Sequence, residues 1–201
     1  MPRPILSLDA LRDSMRAMER LRPPPAARLS VDGAIDRTLP GGGLPLACLH
    51  QVLGETGPAT AFVARLAGRL ATRLARPVLW VTMVDDLFAP GLAAAGLPPD
   101  RLIVARAGRD GDTLWCMEEG LKCAGLAAVV GEVAALDLTA GRRLQLAAEA
   151  GGVTGFALHP AMARAANAGT TRWRVAGAPG GGWRLTLERC RGGTGGEWIV
   201  P

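Results

Sequence analysis

Leu49-His-Gln-Val-Leu-Gly-Glu-Thr-Gly-Pro-Ala-Thr-Ala-Phe-Val63 decides how this chain folds. Residues 47–53 are a short apolar run and read as a buried strand. Gly54 to Thr60 reads as a loop, and a helix is expected over 59–75, with Phe62, Val63, Leu66, Leu70 and Leu74 on one face. Arg65, Arg69 and Arg73 recur at i, i+4 and i+8 on another face, which is expected to be solvated. Strand, glycine-bearing loop and helix in direct succession make the first half of a βαβ unit.

Working outward, the alternation continues. Residues 77–84, 101–105, 126–130 and 153–158 read as strands, and 87–95, 112–124 and 139–150 as helices. Short connections between them argue for an α/β fold with a doubly wound, mostly parallel sheet. Beyond residue 171 the pattern changes. Arg172-Trp-Arg-Val-Ala176 and Trp183-Arg-Leu-Thr-Leu-Glu-Arg189 alternate with period two, Glu197-Trp-Ile-Val200 follows, and glycine-rich turns join them. This predicts a C-terminal antiparallel extension over 171–201. Its tryptophans are expected to face the core and its arginines water.

At the other end, Leu8, Leu11, Met15 and Met18 recur at helical spacing over 5–22, opposite Arg12, Asp13, Arg16, Glu19 and Arg20. Ser7 is a candidate N-cap, and Pro23-Pro-Pro25 stops this N-terminal amphipathic helix and starts a stiff linker. The expected organisation is helix and linker over 1–28 and a core domain over 29–201.

The chain has 201 residues, 49% hydrophobic and 20% charged, which excludes wholesale disorder. No apolar stretch reaches the ~18 residues of a membrane span. Asp9 interrupts what would be a signal-peptide core, so a cytoplasmic protein is expected. The formal charge is +5, and Lys122 is the only lysine among the basic residues. Cys48, Cys116, Cys123 and Cys190 form no C-x-x-C pair, and His50 and His159 stand apart; the expectation is no metal and buried free thiols.

The segment 47–75 stands where a phosphate-binding loop would stand, but its chemistry is missing. Such a loop reads G-x-x-x-x-G-K-[ST]; its amides cradle phosphates, its lysine neutralises charge and its hydroxyl holds Mg²⁺. Counted from Gly54, Ala59 takes the second glycine position, Thr60 the lysine position and Ala61 the hydroxyl position. Gly57 remains, while Pro58 removes an amide donor. After strand 126–130, Gly131 replaces the metal-binding aspartate, with Glu132 beside it as the one carboxylate that could reach a metal. Val84 or Asp85 stands where a water-orienting carboxylate is needed. The loop is not expected to bind nucleotide, and no cofactor is expected.

These segments resemble the RecA recombinase core. The likeness is carried by Leu39-Pro-Gly-Gly-Gly-Leu-Pro45, the strand–loop–helix unit, Val78–Gly96, and Val129-Val-Gly-Glu-Val-Ala-Ala-Leu136 in place of Val-Val-Asp-Ser-Val-Ala-Ala-Leu. Leu49-His50, Thr171-Arg-Trp-Arg-Val175, Trp183-Arg-Leu-Thr-Leu-Glu-Arg-Cys-Arg-Gly-Gly193 and Trp198-Ile-Val200 are more specific. They resemble the ImuA family of RecA-like accessory proteins of bacterial translesion DNA synthesis. The resemblance covers about 30 to 201.

The resemblance implies a non-catalytic adaptor in the SOS response to DNA damage. It implies as partners an ImuB-like inactive relative of Y-family polymerases, RecA, and indirectly an error-prone replicative-type polymerase. Leu8, Leu11, Met15 and Met18 are candidate partner contacts, because RecA docks an N-terminal helix on its neighbour. Arg189 and Arg191 match a hairpin that reaches a neighbour in hexameric relatives, and are expected to be relics or partner contacts. The stretch 160–171 corresponds to a DNA-reading loop, but Arg164 is its only cation before Arg172. With Arg172, Arg174 and Arg184 it makes a candidate DNA surface, expected to act weakly or indirectly. Rival expectations are a divergent ATPase using Glu132, a direct DNA binder, and a SulA-like inhibitor of cell division.

Overall fold

Unbroken apolar runs such as Val78-Leu-Trp-Val81 and Ala128-Val-Val130 belong to strands covered on both faces, and the sheet is built from them. The computed structural model describes residues 27–163, 166 and 168–201. The expected helix over 5–22, with Leu8, Leu11, Met15 and Met18, lies outside the described residues, as does Arg164.

In chain order the strands are β1 (Arg28–Leu29), β2 (Leu44–Pro45), β3 (Leu49–Gly54), β4 (Val78–Thr82), β5 (Leu102–Arg106), β6 (Ala128–Glu132), β7 (Thr154–Pro160), β8 (Thr171–Gly177), β9 (Trp183–Cys190) and β10 (Gly196–Val200). The helices are α1 (Gly33–Asp36), α2 (Thr56–Leu74), α3 (Ala89–Ala94), α4 (Asp110–Lys122) and α5 (Leu138–Gly151). β1 and β2 pair as a small separate sheet. The short α1, not expected from the sequence, starts at Asp32, whose side chain accepts from Ala34 N at 2.9 Å.

The main sheet has eight strands in the order β10-β9-β8-β3-β7-β6-β4-β5. Alternate residues feed two cores, one on each face. Val52, Trp80, Val130, Phe156 and Trp173 pack with α2 in one cluster. Leu49, Val129 and Ala157 pack with Met117, Leu121 and Leu144 of α4 and α5 in the other. The expected α/β architecture with a mostly parallel sheet between helices is present. Trp173 is buried, and Trp183 and Trp198 pack half-buried against its cluster.

Two expectations change. First, the extension is not antiparallel throughout, because β8 pairs parallel with β3 and only β9 and β10 are antiparallel. β7 and β8 flank β3 and both run parallel to it, so the chain between them must cross back over the sheet. The stretch 161–170 does this with no helix among its described residues. Its described residues are fastened to β3, with Gln51 Nε2 donating to Ala166 O at 3.0 Å and Thr170 N to Leu49 O at 2.8 Å.

Second, the solvated stripe does more than face water: Arg69 and Arg73 are exposed and Arg65 half-buried, yet all three hold backbone carbonyls. Arg69 Nη1 donates to Ser30 O (2.7 Å) and Val31 O (2.9 Å), and Arg73 Nη1 to Arg28 O. Arg65 Nη1 donates to Pro201 O at 3.1 Å, and its guanidinium lies 4.8 Å from the Trp183 ring centroid. One helix face thus holds both β1 and the end of β10 to the domain. The thiols also differ from expectation: Cys48 and Cys190 are buried, but Cys123 is exposed just past α4.

A buried polar chain crosses β3 and β8. Trp173 Nε1 donates to Thr171 Oγ1 (2.9 Å), which lies 2.7 Å from His50 Nδ1, while His50 Nε2 lies 2.9 Å from Pro45 O. A carbonyl can only accept, so Nε2 carries a proton, and with the ring's pKa pushed far below 7 by burial Nδ1 accepts from the threonine. The imidazole is therefore neutral, and burial pushes its pKa down to about 4 from 6.5.

Two outcomes are expected. His50 binds a proton below pH 6.5 when unfolded but only near pH 4 when folded, so its contribution is intact above pH 6.5 and declines as pH falls towards 4. The decline is about 3 kcal/mol, visible as the difference between the pH–stability curves of wild type and His50→Gln in urea unfolding. Arg69→Ala removes both bonds to residues 30 and 31. It should lower stability by about 1–3 kcal/mol and speed proteolysis at the start of the described chain.

Candidate functional site

Ligands of parallel α/β sheets bind outside the carboxyl ends of the strands. Here β3, β4, β6 and β7 end on a cavity of about 180 Å³, lined by Gly54, Thr56, Thr60, Met83, Glu132 and His159 among others. A neighbouring groove of about 420 Å³ shares Thr56, Thr60 and Glu132, and adds Gly57, Ala61, Val84, Asp86, Leu87 and Phe88. Glu132 and Asp86 are the charged side chains lining the two. His159 Nδ1 donates to Val133 O at 2.9 Å, and burial lowers its pKa.

The expected loop at 54–60 is a helix instead. β3 ends at Gly54 and α2 begins at Thr56, with Glu55 alone between them. Ala59 N already bonds Glu55 O at 2.9 Å. Pro58 falls in the first turn, where its missing amide costs nothing. Within the helix, Thr56 and Gly57 are left as the open amides. Gly54 answers a packing need, since a Cβ there would stand 2.2 Å from Val175 O of β8. Gly57 has open space around it.

The second half of the site is equally occupied. A Cβ on Gly131 would stand 2.2 Å from Met117 Sδ of α4, so that flexible side chain would have to move to admit one. Glu132 receives two short hydrogen bonds, from Trp80 Nε1 to Oε1 (2.7 Å) and from Thr82 Oγ1 to Oε2 (2.7 Å). Both carboxylate oxygens are therefore engaged with β4. Asp85 turns away to an ion pair with Arg106, whose guanidinium holds its carboxyl below the usual range. Lys122 pairs with Glu118 and Glu119 on α4 and lines neither cavity. The partners Trp80 and Thr82 were not singled out from the sequence. The available signal was a tryptophan inside an apolar run, since a buried indole N–H needs an acceptor.

The candidate DNA residues fall in two places. Arg172 and Arg174 both pair with Glu188, at 3.1 and 2.6 Å, and Arg174 also donates to Ala161 O. Arg189 donates to Gly169 O, so it too binds the crossover stretch. Arg184 lies apart, paired with Glu197 of β10 at 3.0 Å. Arg191 is exposed after β9, with its backbone N on Thr170 O. Among the described residues no group of three or more His, Cys, Asp or Glu is placed to hold a metal, and no helix is long and apolar enough to cross a membrane.

Fold and site define an α/β protein with a mostly parallel sheet and a small acidic-to-neutral cleft at its carboxyl edge. No family model matches the chain. It is 45% identical over 194 aligned residues to Protein ImuA of Caulobacter vibrioides strain NA1000 / CB15N, covering 83% of this chain and 80% of that protein. Protein ImuA of strain ATCC 19089 / CIP 103742 / CB 15 matches to the same extent. The chain belongs to the ImuA family.

Glu132→Ala leaves the buried Trp80 indole without its acceptor. A loss of about 1–3 kcal/mol is expected in urea unfolding, with a shift in tryptophan emission. An unchanged midpoint would show that the carboxylate is not the indole's anchor.

Proposed function

We propose that this protein is a RecA-like, non-catalytic adaptor in SOS-induced translesion DNA synthesis. It acts in the cytoplasm and takes no cofactor. Its partners are an ImuB-like inactive polymerase relative and RecA, and through them an error-prone replicative-type polymerase. What carries the reading is the one-residue junction between Gly54 and Thr56, next to a cleft whose charged lining is acidic. A triphosphate needs amides and cations around it, and that lining offers neither lysine nor arginine. The ATPase rival relies on Glu132, whose oxygens already hold Trp80 and Thr82. Direct DNA binding draws little support from arginines that are paired with Glu188 and Glu197. The SulA-like reading has no observation in its favour.

Co-purification with ImuB-like protein and RecA, with and without residues 1–25, tests this. The full chain should retain at least one of them, and the shortened chain should lose it. Retention by the shortened chain would assign the contact to the core. Retention of neither by the full chain would contradict the adaptor.

A further inference from the structure

Trp115 stands on the outer face of α4, 62% exposed, and borders a groove of about 330 Å³ between α4 and α5. Leu114, Ala140 and Leu144 give the groove its apolar lining, and Gly111 has open space around it. The Glu118–Arg143 ion pair ties the two helices together along its length. Leu146 of α5, one turn beyond Arg142 and Arg143, adds a second large apolar side chain, 54% exposed. A single exposed leucine is ordinary, but an exposed tryptophan beside an unfilled apolar groove is the composition of an interface centre.

Charge is divided between the two helices. α4 carries Asp110, Asp112, Glu118 and Glu119 against one cation, Lys122. α5 carries Arg142 and Arg143 against Glu149. Arg142 is exposed and makes no ion pair among the described residues. Glu119 is exposed, and Lys122 holds it at 2.8 Å in a contact that water and salt readily exchange.

We infer that the α4–α5 face binds a second copy of this chain, with α4 of each copy on α5 of the other and each Trp115 in the facing groove. A knob and a hole side by side form a surface that is its own complement under a two-fold axis. Charge selects the arrangement. With α4 on α5, Glu119 of each copy meets Arg142 of the other, and the contact occurs twice. With α4 on α4, one acidic helix would face another, and like charges set together repel. The face uses neither Glu132 and its cleft nor residues 1–26, so the inference stands apart from the adaptor reading.

Sedimentation equilibrium of the full chain, from about 1 µM to about 500 µM, tests it. The average mass should rise from monomer to dimer with concentration. Trp115→Ala should weaken association by about tenfold or more. Glu119→Arg and Arg142→Glu should each weaken it by about fivefold or more. An equimolar mixture of those two variants should restore it, because every mixed pair again sets opposite charges together. A monomer at all concentrations would overturn the inference and give the face to a different partner. A dimer that Trp115→Ala leaves intact would also overturn it, as would a mixture no tighter than either charge variant alone.

Discussion

The chain has one residue, Glu55, in which to turn from strand to helix, and this constraint shapes everything at the carboxyl edge of the sheet. A phosphate cradle needs several consecutive residues outside regular structure, with their amides turned inward. Here those residues are the first turn of α2, where Thr56 and Gly57 keep the open amides, Pro58 has none, and Ala59 N bonds Glu55 O. The junction is tight because Gly54 lies against the backbone of β8 at a distance that admits no side chain. The Trp80 and Thr82 bonds to Glu132 engage the carboxylate on the other side of the cleft. Packing has taken the space that charge would need.

The arginines follow the same economy. In a chain with a single lysine, guanidinium groups are spent on carbonyls and carboxylates inside the molecule. Arg65, Arg69 and Arg73 fasten the two outermost described segments to α2, and Arg174 and Arg189 fasten the crossover stretch between β7 and β8.

The sequence made the alternation of strands and helices legible because buried parallel strands are unbroken apolar runs with short connections. It also placed the tryptophans, since period two separates Trp173 from Arg172 and Arg174. It did not show that β8 is parallel, because the stretch between β7 and β8 carries no helical pattern of the kind that normally marks a crossover. The helical start at Thr56 was hidden by Gly57 and Pro58, which are turn residues everywhere except in a first helical turn. The arginine stripe is solvated as its pattern indicates, but its bonds were not legible because backbone carbonyls leave no trace in side-chain pattern. At the site, the missing lysine and hydroxyl were legible by counting. That Gly131 and Glu132 are committed to packing and to Trp80 required knowing which helix lies over β6.

We propose that packing occupies the position where the sequence pattern would place a nucleotide, and that surfaces carry the protein's function. Isothermal titration of the full chain with ATP and Mg²⁺ tests it most directly. The account predicts no binding up to about 1 mM nucleotide, and a dissociation constant below that would contradict it.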